Sequence, residues 1–212
     1  MSTRYSLVIL VIVGLIAPFA TRAQPIAPLS IEGDAGRGAA LAYTCSGCHG
    51  VETAVNAYPT YHVPKLGGQN ADYIEVALQD YRQGTRPHPT MQAQAATMSD
   101  QDIADIASYF ASVGGEPETG ISSAGADTVS AGEEKSTTCQ ACHGANGEAV
   151  SPQWPNLAGQ HSSYLFHALK QYQSAERTDA TMGGLVGQLD DETLEQLAAY
   201  YAAMPGLHPT DR

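Results

Sequence analysis

The stretch Thr44-Cys45-Ser46-Gly47-Cys48-His49-Gly50 returns 94 residues later as Thr138-Cys139-Gln140-Ala141-Cys142-His143-Gly144. These two motifs contain all four cysteines of the 212-residue chain. Cys-x-x-Cys-His is the attachment signature of a c-type haem. Two thiols three residues apart on one helical turn can each form a thioether to a haem vinyl group. The histidine that follows then lies where its imidazole can reach the iron. A redox dithiol would need a βαβ context, and none is visible. A zinc site would add further Cys or His at regular spacing, and a disulfide framework has no use for His49 and His143. The motifs therefore predict two haem c groups, attached through Cys45 and Cys48 and through Cys139 and Cys142.

The duplication extends well beyond the cysteines. Pro64 to Met91 aligns with Pro155 to Met182 at an offset of 91, with 11 identities in 28 pairs. The offset drops from 94 to 91, so the first copy carries three extra residues between Gly50 and Pro64. The match resumes in Asp100, Ala107, Tyr109 and Ala111, which pair with Asp191, Ala198, Tyr200 and Ala202. Gly114 to Asp127 is rich in Gly, Ser, Glu and Ala and reads as a linker. The expected organisation is residues 1–23, 24–113, 114–127 and 128–212: a leader, a first unit, a linker and a second unit. A unit of about 90 residues is small for a core of its own, and a covalently fixed porphyrin would supply the missing core.

The pattern within each unit is helical. Tyr73, Ala77, Leu78 and Tyr81 share one face of a helix over Asn70 to Gln83, and Tyr164, Ala168, Leu169 and Tyr172 do the same over Ser162 to Ser174. Ser99, with Asp102 three residues on, opens a helix whose apolar face is Ile103, Ile106, Ala107 and Phe110. Asp190 opens its counterpart, with Leu194, Leu197, Ala198 and Tyr201. Short lead-in segments, Asp34 to Tyr43 and Ser130 to Thr137, precede the cysteine motifs. No strand alternation is evident.

Each iron needs a sixth ligand or stays open. Met91 aligns with Met182, whereas Met98 aligns with Leu189, so a ligand required in both units is Met91 and Met182. Met91 lies 42 residues after His49 and Met182 lies 39 after His143, and the difference is the same three-residue insertion. Met98 and Met204 are assigned to packing. His62, His88, His161, His167 and His208 have no His counterpart in the other copy and read as surface or locally hydrogen-bonded groups.

The N-terminus is an expected export signal. Tyr5 to Thr21 carries no charge, follows Arg4, and ends in small residues with a plausible cut after Ala23. The apolar run is shorter than the roughly 20 residues of a spanning helix. Removing residues 1–23 takes away Arg4 and Arg22 and no acid, so a formal charge of -12 becomes 8 minus 22, or -14. That acidity excludes nucleic acid, whose phosphates need a basic surface, and favours a protein partner with a basic patch.

The chain resembles the cytochrome c4 family, the dihaem class I cytochromes c of bacterial periplasms. The resemblance rests on the two Cys-x-x-Cys-His-Gly motifs, on Pro-x-Leu-x-Gly-Gln (Pro64 to Gln69, Pro155 to Gln160), on Arg-x-x-x-Thr-Met (Arg86 to Met91, Arg177 to Met182), and on the aromatic pairs Tyr109-Phe110 and Tyr200-Tyr201. It implies an all-α fold: two tandem class I cytochrome c domains, each a small helical fold around one covalently bound haem c. It implies axial pairs His49/Met91 and His143/Met182, and Pro64 and Pro155 carbonyls that orient the histidines. It further implies a periplasmic electron carrier, not an enzyme, working between redox protein donors and an acceptor such as a membrane-bound terminal oxidase, with no small-molecule substrate. An electron-transfer subunit of a dehydrogenase complex is the alternative. A dihaem enzyme or gas sensor would require one open iron. The second unit has the family's Gly-rich loop, Gly144 to Gly147. The first replaces it with a longer loop, Gly50 to Val63, and this leaves the surroundings of the first haem open.

Overall fold

The computed structural model describes residues 26–114 and 124–210. The predicted leader, 1–23, and most of the predicted linker lie outside the described residues. Among the described residues, ten helices form two similar sets. The first comprises α1 (Ala35–Leu41), α2 (Tyr43–His49), α3 (Ala71–Gln83), α4 (Pro89–Ala95) and α5 (Asp100–Ser112). The second comprises α6 (Ala126–Lys135), α7 (Thr137–His143), α8 (Ser162–Gln173), α9 (Ala180–Val186) and α10 (Asp191–Ala203). Among the described residues the fold is all-α apart from a two-stranded antiparallel ribbon, β1 (Val55–Asn56) with β2 (Tyr61–His62), inside the long loop of the first unit.

The helix ends follow local chemistry. Asp34 caps α1 by accepting from the Gly36 and Arg37 amides. Ser99 and Asp102 close a reciprocal capping box on α5, and Asp190 accepts from the Thr193 amide to open α10. Gly84 ends α3 with φ 77°, a left-handed conformation that favours glycine. α6 begins at Ala126, four residues before the predicted lead-in, because the 126–135 segment packs along α10.

α1 crosses α5 in the first unit, and α6 crosses α10 in the second. Both crossings require a glycine. A Cβ on Gly38 would fall on the Asp105 carbonyl and 2.9 Å from the Tyr109 Cβ. A Cβ on Gly132 would fall on the Gln196 carbonyl and 2.8 Å from the Tyr200 Cβ. Arg37 pairs with Asp102 and Asp105 across the first crossing. The predicted faces of α5 and α10 are buried: Ile103, Ile106, Ala107 and Phe110 in one unit, Leu194, Leu197, Ala198 and Tyr201 in the other. On α3, however, Leu78 and Tyr81 are joined in the interior by Ile74, Glu75 and Gln79. Tyr73 and Ala77 are only half-buried and line the wall of a cavity that Ile74, Leu78 and Tyr81 also reach.

The two units pack against each other through paired loops. Lys65 N–H donates to Gln160 Oε1 at 2.9 Å, and Gln160 Nε2 donates back to the Lys65 carbonyl at 3.0 Å. Gln69 and Asn156 repeat that exchange: Gln69 Nε2 donates to the Asn156 carbonyl at 3.0 Å and Asn156 N–H to Gln69 Oε1 at 2.9 Å. These glutamines belong to the duplicated Pro-x-Leu-x-Gly-Gln motifs. The extra loop of the first unit lies on α8: Tyr61 stacks on His167 at 3.9 Å, His62 stacks on His161 at 4.7 Å, and the His62 amide donates to Ser163 Oγ. Three histidines that read as surface groups thus contribute to the seam between the units. His208 pairs across the same boundary, its amide donating to the Gly67 carbonyl.

Gly38→Ala and Gly132→Ala should each force a helix crossing apart and destabilise the protein by about 1–3 kcal/mol, the range for overpacking. Denaturant unfolding checks this; an unchanged midpoint in either variant would show that the crossing can relax.

Candidate functional site

A cavity of about 970 Å³ runs through both units. Its wall holds Cys45, Cys48, His49 and Met91 from one unit and Cys139, Cys142, His143 and Met182 from the other. α2 and α7 each place both cysteines and the histidine within two turns, because each helix is seven residues long and ends on the histidine. None of the four cysteines is disulfide-bonded. Burial raises the Cys45 and Cys139 thiols.

Each imidazole is held at one nitrogen. His49 Nδ1 lies 2.7 Å from the Pro64 carbonyl, and His143 Nδ1 lies 3.0 Å from the Pro155 carbonyl. A carbonyl only accepts, so Nδ1 carries the proton and Nε2 keeps a free lone pair. Burial lowers both imidazoles below their ordinary range, which keeps them neutral. A neutral imidazole with Nε2 free is the form that binds a metal.

The methionine helices are short and separately capped. His88 Nδ1 accepts from the Met91 amide at 3.2 Å, and Pro89 follows at the first helical position. Asp179 Oδ1 accepts from the Met182 amide at 2.8 Å. Aligned positions, one imidazole and one carboxylate, do the same work. Met98 also reaches the cavity, while Met204 packs with the core of the second unit.

Where the units meet, two guanidiniums are buried. Arg86 is 6% exposed and Arg177 is 9% exposed. Among the described residues neither pairs with a carboxylate; their side-chain hydrogen bonds go to phenols, one within the first unit, from Arg86 Nη1 to Tyr73 Oη at 3.5 Å, and two that cross between units. Arg86 Nη2 donates to Tyr164 Oη of the second unit at 2.7 Å, and Arg177 Nη2 donates to Tyr73 Oη of the first at 3.1 Å. Each arginine also covers a tyrosine of its own unit, Arg86 over Tyr81 and Arg177 over Tyr172. Burial raises the Tyr73 phenol, but Arg177 and Arg86 outweigh it and bring it down to about 7. A field that strong favours anions.

These features fit a haem c in each unit. The two acidic propionates of a haem match buried guanidiniums that have no carboxylate of their own. Tyr201 adds a buried Oη without a hydrogen-bond partner, and Tyr201 lines the cavity.

Comparison with known proteins agrees with this geometry. The Cytochrome c family model matches residues 35–114 and again 129–205. Cytochrome c4 of Pseudomonas aeruginosa is 30% identical over 190 residues, covering 83% of this chain and 90% of that protein. The chain belongs to the cytochrome c4 family. A crystal structure of reduced recombinant cytochrome c4 from Pseudomonas stutzeri superimposes with a TM-score of 0.70 at 29% identity, covering 81% of this chain and 99% of that one. A thiosulfate dehydrogenase electron acceptor of Stutzerimonas stutzeri is 31% identical, covering 76% of this chain and 79% of that protein. This cytochrome c4 homologue is a dihaem protein, with two haem c groups, one per family-model match.

The cysteine, histidine and methionine positions that the duplication singles out all reach one cavity. The sequence reading missed the roles of Arg86, Arg177, Tyr73 and Tyr164. Their identity in both copies was the available signal, but pairing within a copy does not reveal contact between copies. Replacing Arg86 or Arg177 by Gln should lower the potential of a neighbouring haem, since a lost positive charge disfavours the reduced state. It should also cost about 3–5 kcal/mol of stability by leaving a buried anion uncompensated. Redox titration and unfolding together check this; unchanged potentials would remove the arginines from the haem environment.

Proposed function

We propose that this cytochrome is a periplasmic electron carrier in which His49 and Met91 ligate one iron and His143 and Met182 the other. Cys45, Cys48, Cys139 and Cys142 are the thioether attachments, in units 24–113 and 128–212 that follow a leader cleaved after Ala23. One observation carries the reading: each unit puts an imidazole with its Nδ1 fixed and a methionine thioether on the wall of the same cavity. When bound, each haem supplies a one-electron iron couple, and a thioether ligand raises its potential relative to a second imidazole.

The residues set how that couple is used. Pro64 and Pro155 carbonyls orient the imidazoles and increase their basicity. Met91 and Met182, as the second protein ligand to each iron, would exclude small substrates and leave outer-sphere transfer. The contact between units keeps the two centres in one body, able to hold two electrons or to relay one. The acidic surface steers towards a donor or acceptor with a basic patch, such as a membrane-bound terminal oxidase, and salt weakens that encounter. Among the described residues no helix is long and apolar enough to cross a membrane.

A second reading, an electron-accepting partner or subunit of a dehydrogenase, is favoured by the similarity to the thiosulfate dehydrogenase electron acceptor. Size exclusion of the native protein separates a free carrier from a stable complex.

Met91→Ala and Met182→Ala should each leave two covalent haems in place, convert one from low-spin to an open or water-ligated iron, and lower that centre's potential. Met98→Ala should do neither. Visible spectra and redox titration read both effects; ligand loss in Met98→Ala instead would overturn the assignment of Met91.

A further inference from the structure

Tyr201 lies on α10 and is 3% exposed. Among the described residues its Oη is the only buried side-chain nitrogen or oxygen without a hydrogen-bond partner. Interiors hold few such groups, because an unsatisfied buried hydroxyl is costly. Packing does not demand one here. Ninety-one residues earlier the first unit has Phe110, 1% exposed, in the equivalent place on α5. Both rings line the cavity. The two units therefore present the same aromatic surface and differ by one hydroxyl.

The surroundings of that hydroxyl point to its partner. Burial raises the Tyr201 phenol above its ordinary range, and the titratable groups acting on it are Cys139 and Tyr200, not the guanidiniums. The hydroxyl stays protonated. Cys139 packs against the same cluster of side chains as Tyr201.

We propose that the Tyr201 hydroxyl donates a hydrogen bond to the electron-rich thioether edge of the second haem, on the Cys139 side, and thereby sets that haem's potential above the value it would have with Phe. Tyr201 acts here as a tuning residue and takes no part in ligation. The positive end of an O–H dipole favours the reduced, electron-richer state, so the hydroxyl raises the potential. Phe110 gives the first haem no such donor. The proposal rests on Cys139 being an attachment point, as in the function proposed above.

The test is a spectroelectrochemical titration of the purified dihaem protein beside Tyr201→Phe and Phe110→Tyr, with the haem count taken from intact mass. In Tyr201→Phe one of the two midpoint potentials should fall, and the reduced-to-oxidised ratio of that haem at a fixed poise should drop by up to roughly five-fold, the limit reached if the whole worth of one net hydrogen bond is realised only in the reduced state. The other potential should stay. In Phe110→Tyr the other potential should rise. Two covalent haems with both potentials unmoved in Tyr201→Phe would overturn the proposal, as would a changed unfolding midpoint with no change in potential, since that marks a purely structural hydroxyl. A wild-type mass with fewer than two haems would instead overturn the underlying assignment of the attachment sites.

Discussion

The imidazole held at Nδ1 by a proline carbonyl is the contact on which the rest of the structure depends. It fixes where His49 and His143 point, and the cavity, the methionine helices and the packed aromatic faces are arranged around that direction. A unit of about 90 residues has little interior of its own. Here the helices frame a cavity, with one frame at the close α1–α5 and α6–α10 crossings and the other at the capped helices that carry Met91 and Met182. The hydrogen bond to proline is thus both a chemical device, leaving Nε2 with a free lone pair, and a structural one, tying the cysteine helix to the loop before α3 or α8.

Duplication makes the two sites similar, and the seam between them makes them interdependent. The motif glutamines exchange hydrogen bonds between units, and each buried arginine binds the other unit's tyrosine. Two uncompensated guanidiniums at one boundary would repel each other, so their burial makes sense only beside anions. The units nonetheless differ where chemistry is sensitive to it. His88 caps one methionine helix and Asp179 the other. The first unit's long loop reaches onto α8, where the second keeps a short glycine turn. Phe110 faces one half of the cavity and Tyr201 the other.

Much of this was legible in the sequence because it is written in local pattern. The Ser99–Asp102 capping box, the Asp190 cap and the apolar faces of α5 and α10 follow from spacing alone. The helices at 71–83 and 162–173 end within a residue of their periodic signal. The repeat singles out Met91 and Met182 over Met98 as the proposed ligands; the cavity wall does not draw that distinction, since Met98 also reaches it. What was not legible depends on contact between distant segments. The Tyr61–His167 and His62–His161 stacks join residues about a hundred positions apart, so those histidines carried no local sign of burial. The β1–β2 ribbon is two residues per strand, too short to alternate. Tyr73 and Ala77 carried the periodicity of core residues, and they do face the interior of the unit, but that interior is a cavity wall.

The central claim is that both irons are closed by a methionine and serve only electron transfer. Titrating the fully reduced, purified dihaem protein with carbon monoxide and following the visible spectrum tests it most directly, because carbon monoxide binds ferrous haem only where the sixth position is open. The account predicts no spectral change at either haem. A change in about half of the haem would contradict it, showing one open iron and therefore a centre built to bind a small molecule.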